Sequence, residues 1–184
     1  RVAIDRAHHN AHTARGKYRP FATLVDMDGC RVTSHKKSFS AKSLENTDVL
    51  VIANASGGGK RSLMGINLPF AGKDRREQPA FTAKEIEAVR AWVEQGGSLL
   101  LIADHAPFGA SSAGLAAAFG VAMHQGFTEI PNEKSDPMEF SRANGRLADH
   151  PIMAGSDSAS AVSRGFTFTG QSPDGRANAT LLVA

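Results

Sequence analysis

The sequence predicts an α/β fold, more closely a flavodoxin-like three-layer sandwich with a mainly parallel central sheet. Apolar, strand-like runs alternate with segments of helical periodicity from the start of the chain, as in parallel sheets covered by helices. The run at 98–103 has no polar alternation, which is usual for a strand buried on both faces. Both observations favour the same architecture.

The length of 184 residues predicts a single domain over 1–184. The chain opens at Arg1 without a methionine and stops within the strand-like run 179–184. We therefore expect a fragment of a longer protein.

The first third of the chain supplies three predicted strands and two predicted helices. They are strands at 2–4, 30–34 and 48–54 and helices at 19–29 and 41–45. Pro20 suits the first turn of its helix, and Gly29 suits the end, because glycine adopts a left-handed cap without steric cost.

The best-defined helix begins after Thr82. Thr82 and Glu85 match a capping box, in which each side chain satisfies a free N–H of the first turn. Ile86, Val89 and Val93 then form an apolar stripe at helical spacing. The pair at 96–97, both glycine, ends the helix before the strand at 98–103.

The remaining segments are less regular. We predict a helix at 111–119, a short strand at 120–123, a helix at 138–147, a turn at 149–152 and closing strands at 161–168 and 179–183. The stretch 55–80 has no periodicity and many glycines and prolines. Connections this long are often lids or binding loops, and this one could close over a site.

The composition argues against several classes of protein. The 21 basic residues are scattered among 18 acidic ones for a net charge of +3, which favours solvated surface over a nucleic-acid partner. Cys30 is the sole cysteine, so no intrachain disulfide or cysteine metal cluster can form. No run approaches the ~20 apolar residues of a membrane span. The compartment stays open, with a secreted or periplasmic bacterial location favoured.

Polar side chains follow the predicted strands where the strands end. Asp5, His8, His9 and His12 follow the first strand, and three of the seven histidines fall there. Because right-handed crossovers place the carboxyl ends of parallel strands at one edge, we expect these residues to meet the pair 104–105.

Histidine and carboxylate are the ligands that zinc and related metals prefer. His8, His9 and His12 are the predicted ligands of a divalent metal such as zinc, since spacings of three and four share a face of a helical turn. The alternative is that these histidines cap the next helix or hydrogen-bond the backbone.

Asp104 and His105 can act without a metal. A carboxylate beside an imidazole sets its tautomer and raises its basicity, as a general base requires. Asp104, His105 and Asp5 are therefore the predicted catalytic residues. The alternative is that Asp104 or His105 only caps the helix predicted from Ser111.

Four further residues are predicted to bind substrate: Asn10, Asn54, Tyr18 and Lys60. Asn10 and Asn54 lie at or close behind the ends of predicted strands, and Tyr18 closely follows the histidine-rich turn and could line the site. Lys60 follows three glycines and could meet an anionic substrate. The stretch 54–62 does not match a phosphate-binding loop. Tyr18 could equally pack at the start of its helix.

Ser111 and Ser112 resemble a nucleophile elbow only in part. The elbow places a glycine two residues after the serine and sets the serine directly behind a strand, and neither holds here. We interpret Ser111 as a helix N-cap, with a serine esterase using Ser111 or Ser112 as a weaker alternative.

The chain resembles the class I glutamine amidotransferase-like superfamily, nearest to uncharacterised bacterial members of its trehalose-utilisation-type branch. The resemblance covers about 1–155 and is carried by the stretches 48–52, 81–86, 92–101 and 149–152. In true amidotransferases a cysteine nucleophile follows the strand that corresponds to 98–103. Asp104 and His105 stand there instead, so the resemblance implies the fold and the place of a site, and it argues against glutaminase chemistry.

These observations predict a hydrolase acting on a small molecule, with a His/Asp site at the carboxyl edge of the sheet and a metal as an optional aid. The alternative is a non-catalytic ligand-binding module of a longer secreted or envelope protein. The sequence does not identify an oligomeric state.

Overall fold

The computed structural model describes residues 1–58, 62–63, 66–67, 78–126, 137–167, 170, 180 and 182. The strands within these ranges are β1 (Val2–Asp5), β2 (Val32–His35), β3 (Val49–Ala53), β4 (Ser62–Leu63), β5 (Ile66–Asn67), β6 (Ser98–Ile102), β7 (Met138–Ser141) and β8 (Arg164–Thr167). The helices are α1 (Arg19–Met27), α2 (Ala41–Leu44), α3 (Ala83–Glu94), α4 (Phe108–Ala118) and α5 (Pro151–Ala154).

A four-stranded parallel sheet lies at the centre, in the order β2-β1-β3-β6. This order is that of doubly wound flavodoxin-like sheets, in which the chain reverses direction across the sheet after β2. The α/β prediction is confirmed.

The two faces of the sheet form separate layers of core. On one face, Val2, Ile4 and Val51 pack against α1 through residues such as Phe21. The opposite face packs against α2, α3 and α4, and its buried residues include Ala3, Leu44, Leu50, Ile52, Val89 and Leu115. Alternate residues of each strand point to opposite faces, so β1 and β3 serve both layers of the sandwich.

The predicted signals around α3 are confirmed. Thr82 accepts a hydrogen bond from the Glu85 backbone, and the Glu85 side chain accepts from the Thr82 N–H at 3.0 Å. The backbone at Gly96 has φ of +102°, the left-handed conformation that ends the helix. Gly97 packs so closely on the ring of Trp92 that a Cβ there would overlap it.

One expectation about the sheet is corrected. We expected 98–103 to be buried on both faces, but β6 lies at the edge of the described sheet, and Leu100 is 43% exposed. A continuous apolar run predicts a strand within a sheet. Whether both faces of that strand are buried depends on the elements that pack around it.

Other corrections fall after β6. Helix α4 begins at Phe108 rather than at Ser111, with Pro107 in the cap position. The segment 138–147, predicted as a helix, contains strand β7 paired antiparallel with β8. In place of a strand at 120–123 there is a single bridge residue, Ala122.

Two predicted segments lie largely outside the described residues. Of 55–80, the structure describes both ends and the two-stranded hairpin of β4 and β5. Of 179–183 it describes 180 and 182, and the carbonyl of Leu182 accepts a hydrogen bond from Ala148. Within the described ranges, no helix is both long and apolar enough to cross a membrane.

Candidate functional site

The carboxyl ends of β1, β3 and β6 meet at one edge of the sheet, as parallel pairing requires. The loop after β1 lies against the segment after β3. Ala11 donates a backbone hydrogen bond to the Asn54 carbonyl, and Ser56 donates one to the His8 carbonyl. Asn54 in turn donates to Ile102 at 2.8 Å. Three segments that are distant in sequence therefore come together here.

Asn54 joins these segments through its side chain. Its amide Nδ2 donates to Asp104 Oδ2 at 2.9 Å, and its Oδ1 accepts from the Asp104 backbone at 3.0 Å. The same Nδ2 lies 3.3 Å from His12 Nε2. Asn54 is 1% exposed and has φ of +52°, a left-handed conformation that asparagine tolerates better than most residues.

Asp104 holds His105 in place. Its Oδ1 lies 2.5 Å from His105 Nδ1 and accepts from the His105 backbone at 2.7 Å. Although burial favours the neutral acid, the hydrogen bonds from Asn54 and His105 lower the pKa of Asp104. Both side chains are about one-third exposed, at 33% for Asp104 and 32% for His105, so the pair is reachable from solvent.

Tyr18 and His12 stack beside Asp104. Their rings lie 5.0 Å apart at an interplanar angle of 27°. Burial raises the pKa of Tyr18, and the nearby charge of Asp104 raises it further. Two buried nitrogens of this loop, His12 Nδ1 and Asn10 Nδ2, have no hydrogen-bond partner among the residues that the structure describes.

His8 belongs to a second cluster of side chains, which it forms with Asp5 and Glu85 and which is buried. Its Nδ1 lies 2.8 Å from Asp5 Oδ2, and its Nε2 lies 2.9 Å from Glu85 Oε1. Its ring is 7% exposed and packs between Phe39 and Phe81, with centroids at 4.5 and 4.9 Å.

The electrostatics of this inner group favour charge. Burial lowers the pKa of His8, but the hydrogen bonds and charges of Asp5 and Glu85 outweigh it, so the net effect is a raised pKa. Burial alone would raise the pKa of Glu85, yet the bonds from His8 and Thr82 lower it to about 2. Both shifts favour an imidazolium at His8 beside an ionised Glu85.

The predicted site residues thus separate. His12, Asn54, Tyr18, Asp104 and His105 come together, and Asn10 lies in the same loop as His12. Asp5 and His8 are joined to each other below them, and both ring nitrogens of His8 already face carboxylates.

Two further predicted residues belong to neither described group. His9, a predicted metal ligand, is exposed at φ of +48°, and Lys60, predicted to bind substrate, lies outside the described residues. Among the side chains that the structure describes, no three of histidine, cysteine, aspartate or glutamate are grouped to hold a metal ion. Zinc therefore stays a prediction.

The hydroxyls of the serine alternative are inaccessible. Ser111 is 1% exposed, and its Oγ lies 3.3 Å from the Pro107 carbonyl, while Ser112 is 0% exposed. Both lie inside α4, so the predicted N-cap at Ser111 is wrong. Cys30 is exposed just before β2, at the opposite end of the sheet from Asp104.

Sequence reasoning missed Glu85 as the partner of His8. Its capping box was visible, but a cap uses one carboxylate oxygen, and here the other oxygen also accepts from His8 and from the Phe39 backbone. The partner lies 77 residues away in the chain, so no local pattern indicates it.

Comparison with known proteins bears on the fold. No protein-family model matches the chain, and no curated protein shows significant similarity to it. Among solved structures, the chain is similar to one described as "mmIFT52 N-terminal domain", with a TM-score of 0.67 and 12% identity over 99% of this chain and 71% of that one. At this identity the likeness shows the α/β architecture alone.

Proposed function

We propose that the protein is a hydrolase of a small molecule and that His105, oriented by Asp104, is its general base. The observation that carries this proposal is the 2.5 Å contact between Asp104 Oδ1 and His105 Nδ1 at the carboxyl edge of the sheet. Ligands of open α/β sheets bind at this edge.

The geometry suits proton transfer. A carboxylate that accepts from Nδ1–H places the lone pair of the imidazole at Nε2, where it can take a proton from an attacking water. Asn54 holds Asp104 from behind, and the lowered pKa of Asp104 keeps it ionised. His12 and Tyr18 form one wall on which a substrate can pack.

The test is turnover of a panel of aryl esters and anilides by the wild type and by His105→Ala. We expect the variant to lose ~10²- to 10⁴-fold in kcat/KM, the usual contribution of a general base. His150→Ala is the matched control, because the described side-chain hydrogen bond of His150 is the cap of α5, accepted from Ile152. Unchanged turnover in His105→Ala would remove the proposed role.

Asp104→Asn tests the orienting carboxylate separately. It keeps the side-chain shape but loses the charge that stabilises an imidazolium, so kcat should fall and its dependence on pH should change while KM changes little. A fall in kcat together with a rise in KM and a lower melting temperature would indicate a structural role only.

The second candidate is a non-catalytic ligand-binding module. The observation that favours it is that the serine hydroxyls near the site are buried and Cys30 lies elsewhere. Thermal stabilisation by small polar ligands without any turnover, lost in Asn54→Ala, would favour this candidate.

The form assisted by a metal is tested by elemental analysis of protein purified without a histidine tag. Stoichiometric zinc, lost in His12→Ala, would support it. Kinship with the class I glutamine amidotransferase-like superfamily is likewise our inference, supported by the site position directly after β6 and by the stretches noted in the sequence.

A further inference from the structure

Among the described strands, β2 is an edge strand of the sheet, with β1 on its inner side. In the parallel pairing of β1 with β2, Val2 donates to the Arg31 carbonyl and Arg6 donates to the His35 carbonyl. This register turns the backbone groups of Arg31, Thr33 and His35 towards β1, so those of Val32 and Ser34 point away from it. Within the described part of the chain, those outward N–H and C=O groups have no hydrogen-bond partner.

Two grooves border this edge, one on each face of the sheet. A groove of about 500 Å³ lies on the α1 face, and a groove of about 760 Å³ lies on the α2 face. Both are lined by Thr33, Ser34 and Lys36 of the β2 segment. A strand placed beside β2 would send alternate side chains into each groove.

The lining of both grooves is strongly cationic. Seven exposed cations line them: Arg1, Arg15, Arg19, Arg31, Lys36, Lys37 and Lys42. No side chain of the seven forms an ion pair with another residue that the structure describes, although the N-terminal amine of Arg1 pairs with Asp48. Asp26 is the one acidic residue among the described lining, so the charge of the two grooves is predominantly positive.

We propose that β2 is a docking edge for an acidic, extended peptide segment of a partner protein, which adds a fifth strand to the sheet. Main-chain bonds to Val32 and Ser34 would supply the pairing, as in other cases of strand addition. Acidic side chains on both faces of the added strand would meet the cations of the two grooves. This pairing is independent of the proposed hydrolase site, which lies at the ends of β3 and β6.

Lysines on an edge strand can also serve only to prevent aggregation, and the test separates the two roles. The probe is a fluorescent eight-residue peptide that alternates glutamate with valine or threonine. Its matched control is the same peptide with every backbone nitrogen methylated, which keeps charge and length but removes the N–H donors of both edges and so prevents strand pairing. We expect the methylated peptide to bind at least tenfold more weakly.

Two variants test the protein side. Ser34→Pro removes an outward N–H and leaves the pairing with β1 intact, because proline is tolerated where an edge N–H faces solvent. Ser34→Pro should weaken binding of the unmethylated peptide at least fivefold and leave binding of the methylated peptide unchanged. The double variant Lys36→Ser, Lys37→Ser should weaken binding of both peptides, while Lys84→Ser on α3 should weaken binding of neither.

Equal binding of the two peptides, or tighter binding of single-stranded DNA than of either, would overturn the proposal in favour of general attraction for anions. Absence of peptide binding at low salt would overturn it as well. Because Ser34→Pro could disturb folding, its circular dichroism and melting temperature are measured, and the methylated peptide tests the pairing on the wild-type protein regardless.

Discussion

At the scale of single residues, the buried imidazole of His8 has hydrogen bonds to a carboxylate at each ring nitrogen. Asp5 is fully buried and Glu85 is 7% exposed, and His8 is the cationic partner that lies within hydrogen-bond distance of both. Removing one member of such a group leaves an unpaired buried charge, which is far more destabilising than loss of a surface ion pair.

Glu85→Ala is therefore expected to lower the free energy of unfolding by about 3 kcal/mol or more, since it removes a buried charge partner and half of a capping box. Urea denaturation measures the loss. Glu87→Ala is the control, because Glu87 pairs with Arg90 on the exposed side of the same helix, and we expect a change within about 0.5 kcal/mol. A similar small loss in both variants would contradict the buried role.

The pKa of His8 predicts how stability depends on pH. Because folding raises this pKa above its ordinary 6.5, the stabilisation is fully present below pH 6.5 and is lost as pH rises through the folded value. The stabilisation from Glu85 is present above its ordinary 4.5 and is lost as pH falls through about 2. The difference in urea midpoint between wild type and His8→Gln should therefore be larger at about pH 6 than at about pH 9. A difference that grows with pH would show that His8 is buried as the neutral form.

Residue spacing alone grouped His8 with His12, and the fold separates them. Spacing of four residues would place two imidazoles on one face of a helix, but the loop after β1 is not helical, and His9 adopts a left-handed backbone in between. The distant partner of His8, Glu85, comes from α3, and the partner of His12, Asn54, follows β3, and no local pattern reveals either contact.

At the scale of elements, features that depend on residues within one helical turn could be predicted from the sequence. Features that depend on pairing with a distant strand could not. The capping box of α3 needs only Thr82 and Glu85, so it was visible in the sequence. The sequence predicts a helix at 138–147, but β7 within it is a strand because it pairs with β8, which lies more than twenty residues further along the chain.

Gly97 shows such a local constraint at the turn between α3 and β6. A Cβ there would overlap the ring of Trp92, whose Nε1 donates to the Thr47 carbonyl at 3.2 Å and cannot shift freely. Gly97→Ala should destabilise the protein by about 1–3 kcal/mol through overpacking. Gly165→Ala is the matched control, since a Cβ at Gly165 meets nothing within 4 Å. Equal melting temperatures for the two variants would contradict the close contact.

At the scale of the whole molecule, the parallel order of the sheet assembles the site. The edge at which the strands end was predictable from the alternation of strands and helices, and so was the approach of Asn54 to Asp104. The partial burial of β6 and the inner position of Asp5 and His8 depend on how the layers pack, which the sequence does not reveal.

Asn54 provides the test of this assembly. Asn54→Ala loses the bonds to Asp104 and also places a Cβ in a left-handed backbone, while Asn54→Gly loses only the bonds. We expect Asn54→Ala to be less stable than Asn54→Gly by about 1 kcal/mol, the cost of that backbone for an L-residue. Thermal denaturation compares the two, and a more stable alanine variant would contradict the strained conformation.

The stacking of Tyr18 on His12 has a spectroscopic consequence. Tyr18 is the only tyrosine in the chain, so the absorbance change that accompanies ionisation of a phenol comes from this one position. Its ionisation should occur at higher pH than that of free tyrosine, because burial and the Asp104 charge both disfavour the phenolate. A compound that binds against Tyr18 should shift this ionisation, so binding can be followed without a dye and before the chemistry of the compound is known.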